Sequence, residues 1–303
     1  SQQAPVFENS THFKYSNFGF AVLGQVIEKV SGMSYQKYVT KNIFDKLGLS
    51  RTWADLTPDS MKYLAKGYGR VIPEETRKIF KHIATNSYAA ATGLISNVPD
   101  LARFLSALSL KNEKGPQLIS RESKKEMMRP NFWQADGDDF YGLGLDIWKI
   151  KDKKLVGHGG GFPGFITRVL LDPENDIGVV VLSNANESPA TDVSDAAFKM
   201  ILDLSADGKP DRKNLFKYEG LYRERWQDNI VVALHDGLRV FNPRTKSPIN
   251  SGQQLKFIGK DKFIIEHDSS FGHAGEIVKF IFKKGIKKAQ TMLWAGAPIQ
   301  RVE

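Results

Sequence analysis

The sequence predicts an α+β domain followed by a small all-β barrel or sandwich. Three observations predict it. Apolar residues recur at helical spacing through most of the first 130 residues. Strict alternation and hairpin turns replace that pattern between 142 and 183. After a polar, Gly- and Pro-containing stretch at 205–214, only short alternating runs follow.

Asn17 to Ser31 reads as a helix, with Phe20, Leu23, Ile27 and Val30 as its buried face and Gly32 as its stop. Ser34 caps a second helix carrying Tyr38, Val39, Ile43 and Phe44, and Leu47-Gly48-Leu49 turns out of it. Residues 50–90 are less regular. Val98–Leu110 is amphipathic, with Leu101, Phe104, Leu105 and Leu108 inward and Ser96 as the expected cap. Ser120 begins a short helix that runs to Met128 and is stopped by Pro130. Strands are expected over Gly142–Ile150, Leu155–Gly160, Ile166–Leu171 and Ile177–Ser183, the last two forming a hairpin around Asp172–Asp176. Ala190–Leu204 reads as a closing helix. The expected domains are thus 1–204 and 215–303, joined by a linker at 205–214. No part of the C-terminal domain reads as helical; seven or eight short strands run from Tyr218–Arg223 to Lys288–Trp294, with Asp236-Gly237 as a hairpin signal.

Composition removes several function classes. The 303 residues contain no cysteine, which excludes disulfides, thiol catalysis and cysteine-ligated metal within this chain. No apolar run approaches the roughly 18 residues of a membrane span. The net charge of +9 is uneven: 17 Lys+Arg against 9 Asp+Glu lie from Arg212 to Glu303, a net +8. Those lysines are interleaved with strand alternation and no nucleic-acid motif accompanies them, so a solvated basic face is expected rather than a nucleic-acid site.

Two segments point to chemistry. Tyr15-Ser16-Asn17 stands at the mouth of the first helix, and Gly157-His158-Gly159-Gly160-Gly161-Phe162-Pro163-Gly164-Phe165 lies in the strand region. Tyr-x-Asn alone is weak, because Tyr15 would pack and Asn17 would cap the helix in an ordinary protein. A glycine run can also cradle phosphate, but this one does not open onto a helix. The histidines His12, His82, His235, His267 and His273 lack metal-ligand spacing, and Asp136, Asp138 and Asp139 read as a solvated loop. The aromatics Tyr222, Trp226, Phe241, Phe257, Phe263, Phe271, Phe280 and Trp294 read as barrel core, with a ligand cup as the alternative.

Taken in order, four stretches resemble the serine β-lactamase and penicillin-binding protein family, in particular its class C, D-aminopeptidase and esterase relatives. They are Phe13–Tyr35, Asn42–Thr52, Ala91–Phe104 and Gly157–Phe165 with the hairpin ending Val179–Asn184. The resemblance covers residues 7 to about 204. It implies an antiparallel sheet flanked by helices plus a helical subdomain, and catalysis through an acyl-enzyme on a small-molecule or peptide substrate, without a cofactor. It implies Tyr15 as base or proton relay and Asn17 as an amide for the substrate carbonyl. A phenol is a weak acid, so that base role needs a nearby cation. His158 stands where the family often has lysine; Gly160 allows close approach, and the Gly161 N–H is an oxyanion donor. Gly159 replaces the usual Ser or Thr, which argues for an esterase- or peptidase-like member over a specialised β-lactamase. A non-catalytic scaffold that binds peptide or cell-wall ligands is the alternative.

The family's nucleophile lies in a Ser-x-x-Lys many tens of residues before the tyrosine motif, whereas fourteen residues precede Tyr15. Ser34-Tyr35-Gln36-Lys37 matches literally but follows the tyrosine, and Ser34 is better used as a cap. The expectation is therefore a hydrolase domain incomplete at its N-terminus, completed by a further segment or a second chain. The resemblance also implies a periplasmic or secreted setting and a lipocalin-like barrel opening at Tyr218–Tyr222.

Overall fold

The computed structural model describes residues 6–8, 11–73, 75–133, 139–205, 212–234, 237–244, 252–267 and 273–302. It divides into two compact units, Ser1–Ser194 and Asp195–Glu303. Most of the polar 205–214 stretch lies outside the described residues, as do Asp136, Asp138, His235, Phe271 and the His267 side chain.

The first unit opens with α1 (Asn17–Ser31). Ser16 Oγ accepts the Gly19 N–H at 3.0 Å, and Gly32 closes the helix in the left-handed region at φ 67°. The buried face differs from the expected one. Ala21 and Gly24 are buried, whereas Leu23 is exposed and Val30 is 82% exposed. The reason is close approach: a Cβ on Gly24 would sit 2.6 Å from the Ala90 Cβ, so only small residues fit that face and the bulky ones turn outward.

Next comes α2 (Tyr35–Val39), capped by Ser34, which accepts the Lys37 N–H at 3.3 Å. A single wide turn at Thr40–Phe44 leads into α3 (Asp45–Leu47), ended by Gly48 at φ 65°. Val39, Phe44, Leu47, Leu49, Ala54 and Ala107 form a small core there. The irregular 50–90 region contributes a two-residue ladder, β1 (Gly67–Tyr68) with β2 (Ile79–Phe80). Buried carboxylates organise it. Asp55 accepts the N–H groups of Leu56, Thr85 and Asn86 at 2.7–2.9 Å. Asp100 accepts the Arg51 N–H, the Thr52 hydroxyl and the Arg103 guanidinium at 2.7–2.9 Å. Asp100 lies on α4 (Val98–Leu108), whose cap is Asn97 rather than Ser96; the Ser96 hydroxyl is bonded instead to Thr52 at 2.8 Å. Ser120 caps α5 (Arg121–Met127) as expected.

An antiparallel sheet follows in simple sequence order: β3 (Phe132–Trp133), β4 (Phe140–Tyr141), β5 (Asp146–Ile150), β6 (Lys153–Phe162), β7 (Phe165–Asp172) and β8 (Ile177–Ser183). Leu105 and Leu108 of α4 join Met128, Ile147, Val156 and Leu171 in the core on one sheet face. The helix α6 (Ala190–Ser205) then begins, and the division between the units falls inside it.

The second unit contains a four-residue helix the sequence did not signal, α7 (Arg212–Leu215). Its strands are β9 (Gly220–Arg223), β10 (Asp228–Leu234), β11 (Gly237–Phe241), β12 (Gln253–Gly259), β13 (Lys262–His267), β14 (Ile277–Ile281), β15 (Thr291–Trp294) and β16 (Ala297–Arg301). They close into one antiparallel barrel, with β16 pairing β9. The eighth strand follows the Ala295-Gly296 turn, where φ is positive at both residues. Tyr218, Tyr222, Leu238, Phe263, Phe280 and Met292 fill the interior and are essentially inaccessible. Trp226 and Phe257, expected in the core, are exposed.

Candidate active site

The site is built on the free end of β6. Strand β5 pairs with Lys153–Gly157 only, whereas β7 pairs along β6 from Val156 to Phe162. From His158 to Phe162 the β5 side of β6 therefore has no strand neighbour among the described residues, and Gly159, Gly160 and Gly161 are exposed. Such an edge offers main-chain groups to an extended ligand.

The glycines there serve different needs. A Cβ on Gly157 would lie 2.1 Å from the Val169 carbonyl oxygen, so the sheet itself demands glycine. One on Gly160 would lie 2.4 Å from Thr167 Oγ1. Gly159 is different: its nearest neighbour would be Arg168 Nη1 at 3.5 Å, an ordinary contact. The missing hydroxyl at 159 is thus not imposed by space. The β6–β7 turn is Phe162-Pro163-Gly164-Phe165, with Gly164 at φ 87° packed on the backbone of Gly67.

His158 is half-buried at the point where β5 stops. Its Nδ1 lies 2.6 Å from the Gly159 carbonyl oxygen, which can only accept. Nδ1 therefore carries the proton in the neutral ring, and Nε2 accepts from the Tyr141 hydroxyl at 3.1 Å. Burial, then the nearby Asp146 carboxylate and Tyr15, push the Tyr141 phenol up to about 12, so it remains a donor through the neutral range. No sequence motif singles out Tyr141. Its signal is the turn that follows: a Cβ on Gly142 would lie 2.2 Å from the Met127 carbonyl, and Leu143 N–H donates to that carbonyl at 2.9 Å, which fixes the tyrosine at the end of α5.

Tyr15 reaches the same place from the other direction. Its ring centroid lies 6.0 Å from that of His158 and 6.4 Å, edge-on, from that of Tyr141. Phe13 packs on Tyr141 at 5.0 Å. Tyr15 is 53% exposed. Asn17 is exposed on the first turn of α1, and since Ser16 caps the helix its amide makes no hydrogen bond among the described residues. The structure thus brings Tyr15 and His158 together with Tyr141, and leaves the Asn17 amide open to solvent.

Other candidates lie apart from this cluster. Ser34 is occupied as a helix cap. His12 stacks on Phe7 at 4.5 Å, and His82 lies 6.2 Å from the Phe165 ring. Among the described residues no group of three or more His, Cys, Asp or Glu side chains is placed to hold a metal ion. A cleft of about 720 Å³ between Leu110, Met128, Lys154 and Pro173 is lined by none of the site residues. Arg168, opposite Gly159 on β7, is committed to Asp146 at 2.8 Å and lies over the Trp148 ring at 4.1 Å.

The chain is similar to several known proteins. The chain is 29% identical to penicillin-binding protein 4* of Bacillus subtilis over 192 residues, 60% of this chain and 42% of that protein. It is 24% identical to a β-lactamase of Escherichia coli, over 65% of this chain and 58% of that protein. The chain thus spans about half the length of these curated relatives. Among solved structures, the octameric penicillin-binding protein homologue from Pyrococcus abyssi superposes with a TM-score of 0.55 at 24% identity, covering 96% of this chain and 65% of that one. A D-stereospecific amidohydrolase from Streptomyces superposes with a TM-score of 0.51 at 26% identity, covering 61% of this chain and 54% of that one. The β-lactamase family model matches residues 1–203, about two thirds of the sequence, and on that match the chain belongs to the β-lactamase family, a family of serine hydrolases.

Proposed function

We propose that this chain carries the base and substrate-edge parts of an acyl-transfer site, acting through an acyl-enzyme on a D-amino-acid amide or peptide, or an ester. The observation that carries the reading is the meeting of Tyr15 and His158, with rings 6.0 Å apart, at the open end of β6. Tyr15, as a phenolate held beside the lysine of the Ser-x-x-Lys element or as a relay that passes its own proton to that lysine, takes the proton of the serine hydroxyl as that oxygen attacks the substrate carbonyl. The Gly161 N–H stabilises the oxyanion from the strand edge. The carbonyl–nitrogen or carbonyl–oxygen bond then breaks, the leaving group receives the proton, and water releases the acyl group. Asn17 holds the substrate carbonyl with its open amide.

The nucleophile belongs to an element that seats on the outward apolar face of α1, formed by Phe18, Leu23, Val26 and Val30. Ser34 is not that nucleophile, because its hydroxyl is spent on the Lys37 N–H. The similarity to a D-stereospecific amidohydrolase and the room left at Gly159 support an amidase- or esterase-like preference over specialised β-lactam hydrolysis. The domain layout we propose keeps 1–204 as the hydrolase part, 205–214 as linker and 215–303 as an accessory lipocalin-like barrel in a periplasmic or secreted protein. The packed interior of that barrel favours an accessory role over a ligand cup.

A fluorophosphonate or fluorescent-penicillin probe, applied to the protein purified from its natural source, should label it covalently. Tyr15→Phe should lower turnover by about 10²–10⁴-fold, the range of a general base. Labelling with unchanged turnover in that variant would reject Tyr15 as the base. Absence of labelling would favour the non-catalytic binding scaffold.

A further inference from the structure

The β14–β15 hairpin of the barrel carries Lys283-Lys284-Gly285-Ile286-Lys287-Lys288 at its tip. The tip is a defined turn. Ile286 N–H donates to the Lys283 carbonyl at 3.0 Å, and Gly285 takes φ 84°, which a turn with glycine in its third place requires. Phe282 packs against the barrel core at the base, and Gln290 N–H closes the hairpin on the Ile281 carbonyl at 2.8 Å.

Several cations of the barrel are ion-paired, others such as Lys260, Lys262 and Lys279 are exposed singly, and this hairpin gathers four at one tip. Arg223 and Arg244 meet Asp228, Lys256 meets Glu266, and Lys217 meets Asp261. Lys283, Lys284, Lys287 and Lys288 are all exposed and make no ion pair among the described residues. Between the two lysine pairs stands Ile286, 43% exposed. The neighbouring segment adds Phe216, 44% exposed; it adjoins the hairpin because Ala289 N–H donates to the Lys217 carbonyl at 2.8 Å. A solvated basic face has no use for apolar side chains at its centre. A surface that presents anionic headgroups over hydrocarbon uses both.

We propose that this hairpin docks the barrel on an anionic phospholipid surface, the lysines pairing with headgroup phosphates and Ile286 entering the interface beside Phe216. A soluble polyanion would use the charge alone, and a single strand would stack on aromatics; Phe216 is the one aromatic side chain in this patch and the residue between the lysine pairs is the aliphatic Ile286, which favours lipid.

The test is co-sedimentation of the whole chain with phosphatidylcholine vesicles, with and without phosphatidylglycerol. Binding is expected only to the anionic vesicles. It should fade as added salt shortens the screening length from about 10 Å at 0.1 M to about 3 Å at 1 M. Lys283→Gln with Lys284→Gln should weaken partitioning by about 30-fold, at about fivefold per lysine near an anionic surface. Ile286→Ser should weaken it while leaving heparin retention unchanged. These positions are exposed, so circular dichroism and melting should match the parent. No binding to anionic vesicles, binding insensitive to Ile286→Ser, or retention on heparin without vesicle binding would each overturn the proposal.

Discussion

Asp261 is the position where the barrel's integrity can be tested most directly. It sits in the β12–β13 turn at φ 59°, and its Oδ1 accepts both the Tyr218 hydroxyl at 2.6 Å and the Lys217 ammonium at 2.8 Å. Tyr218 is 1% exposed, so Asp261→Ala would strand a buried phenol donor, which costs about 1–3 kcal/mol. The ion pair is more than a third exposed on both sides and adds at most about 1 kcal/mol. Alanine in the left-handed region adds about another 1 kcal/mol. The sum is about 3 kcal/mol. Asp261→Asn keeps an acceptor for Tyr218 and tolerates the backbone, and should cost about 1 kcal/mol. For a unit of this size each kcal/mol moves the melting midpoint by roughly 4–8 °C, so the alanine variant should melt at least about 12 °C lower. Thermal unfolding followed by near-ultraviolet circular dichroism reads this directly. Equal midpoints for the two variants would refute the claim that the buried phenol dominates.

Acid should act on the same network. Burial by itself raises the Asp261 carboxyl, but the hydrogen bonds from Lys217 and Tyr218 bring it below its ordinary value. That stability is present above the unfolded carboxylate pKa of about 3.9 and should be lost as pH falls below it, an effect Asp261→Asn abolishes in acid melts. At the other extreme, burial pushes Tyr141, Tyr218 and Tyr222 up to about 12. Their contribution is complete below the ordinary phenol value of about 10 and should decline from there to about 12, seen as late-titrating phenolate absorbance that coincides with unfolding. Gly157→Ala should cost about 3 kcal/mol or more in urea unfolding, since its Cβ meets backbone at 2.1 Å, whereas Gly159→Ser should be neutral within about 0.5 kcal/mol. Tyr141→Phe should leave the neutral His158 ring in the Nδ1–H form held by the Gly159 carbonyl and remove the donor to Nε2, which nitrogen-15 correlation spectra would show as a shifted Nε2 resonance with no Nε2–H form; a mixture of the two tautomers would refute the assignment.

The parts of the fold written in local pattern were legible in the sequence. Strand β8 matches the alternating run 177–183, and the stop at Gly32 and the caps Ser34 and Ser120 lie where expected, whereas α1 is capped by Ser16 and not by Asn17. What failed was inference of burial from size. Periodicity on α1 shows an apolar stripe, but not that Ala21 and Gly24 are buried, Gly24 against Ala90, while Val30 meets solvent. Ser96 and Asn97 are both able caps, and the choice went to Asn97 because Thr52, 44 residues away, holds the Ser96 hydroxyl. The candidate site was half legible. Tyr15 and His158 belong to recognisable motifs, but Tyr141 enters through a tertiary hydrogen bond, and the free edge of β6 exists because β5 stops opposite Gly157.

Closure of the barrel has a consequence for how the protein can be built and rebuilt. Gln300 and Arg301 of the last strand pair with Arg223 and Tyr222 of the first. The points where the chain enters and leaves the barrel are therefore neighbours on one seam, as in modules that evolution splices into hosts or that tolerate circular permutation. Among the described residues every strand of the barrel has a neighbour on both sides, so these strands offer no lateral edge for strand addition. It is a cassette, transferable with little more than two adjacent joints.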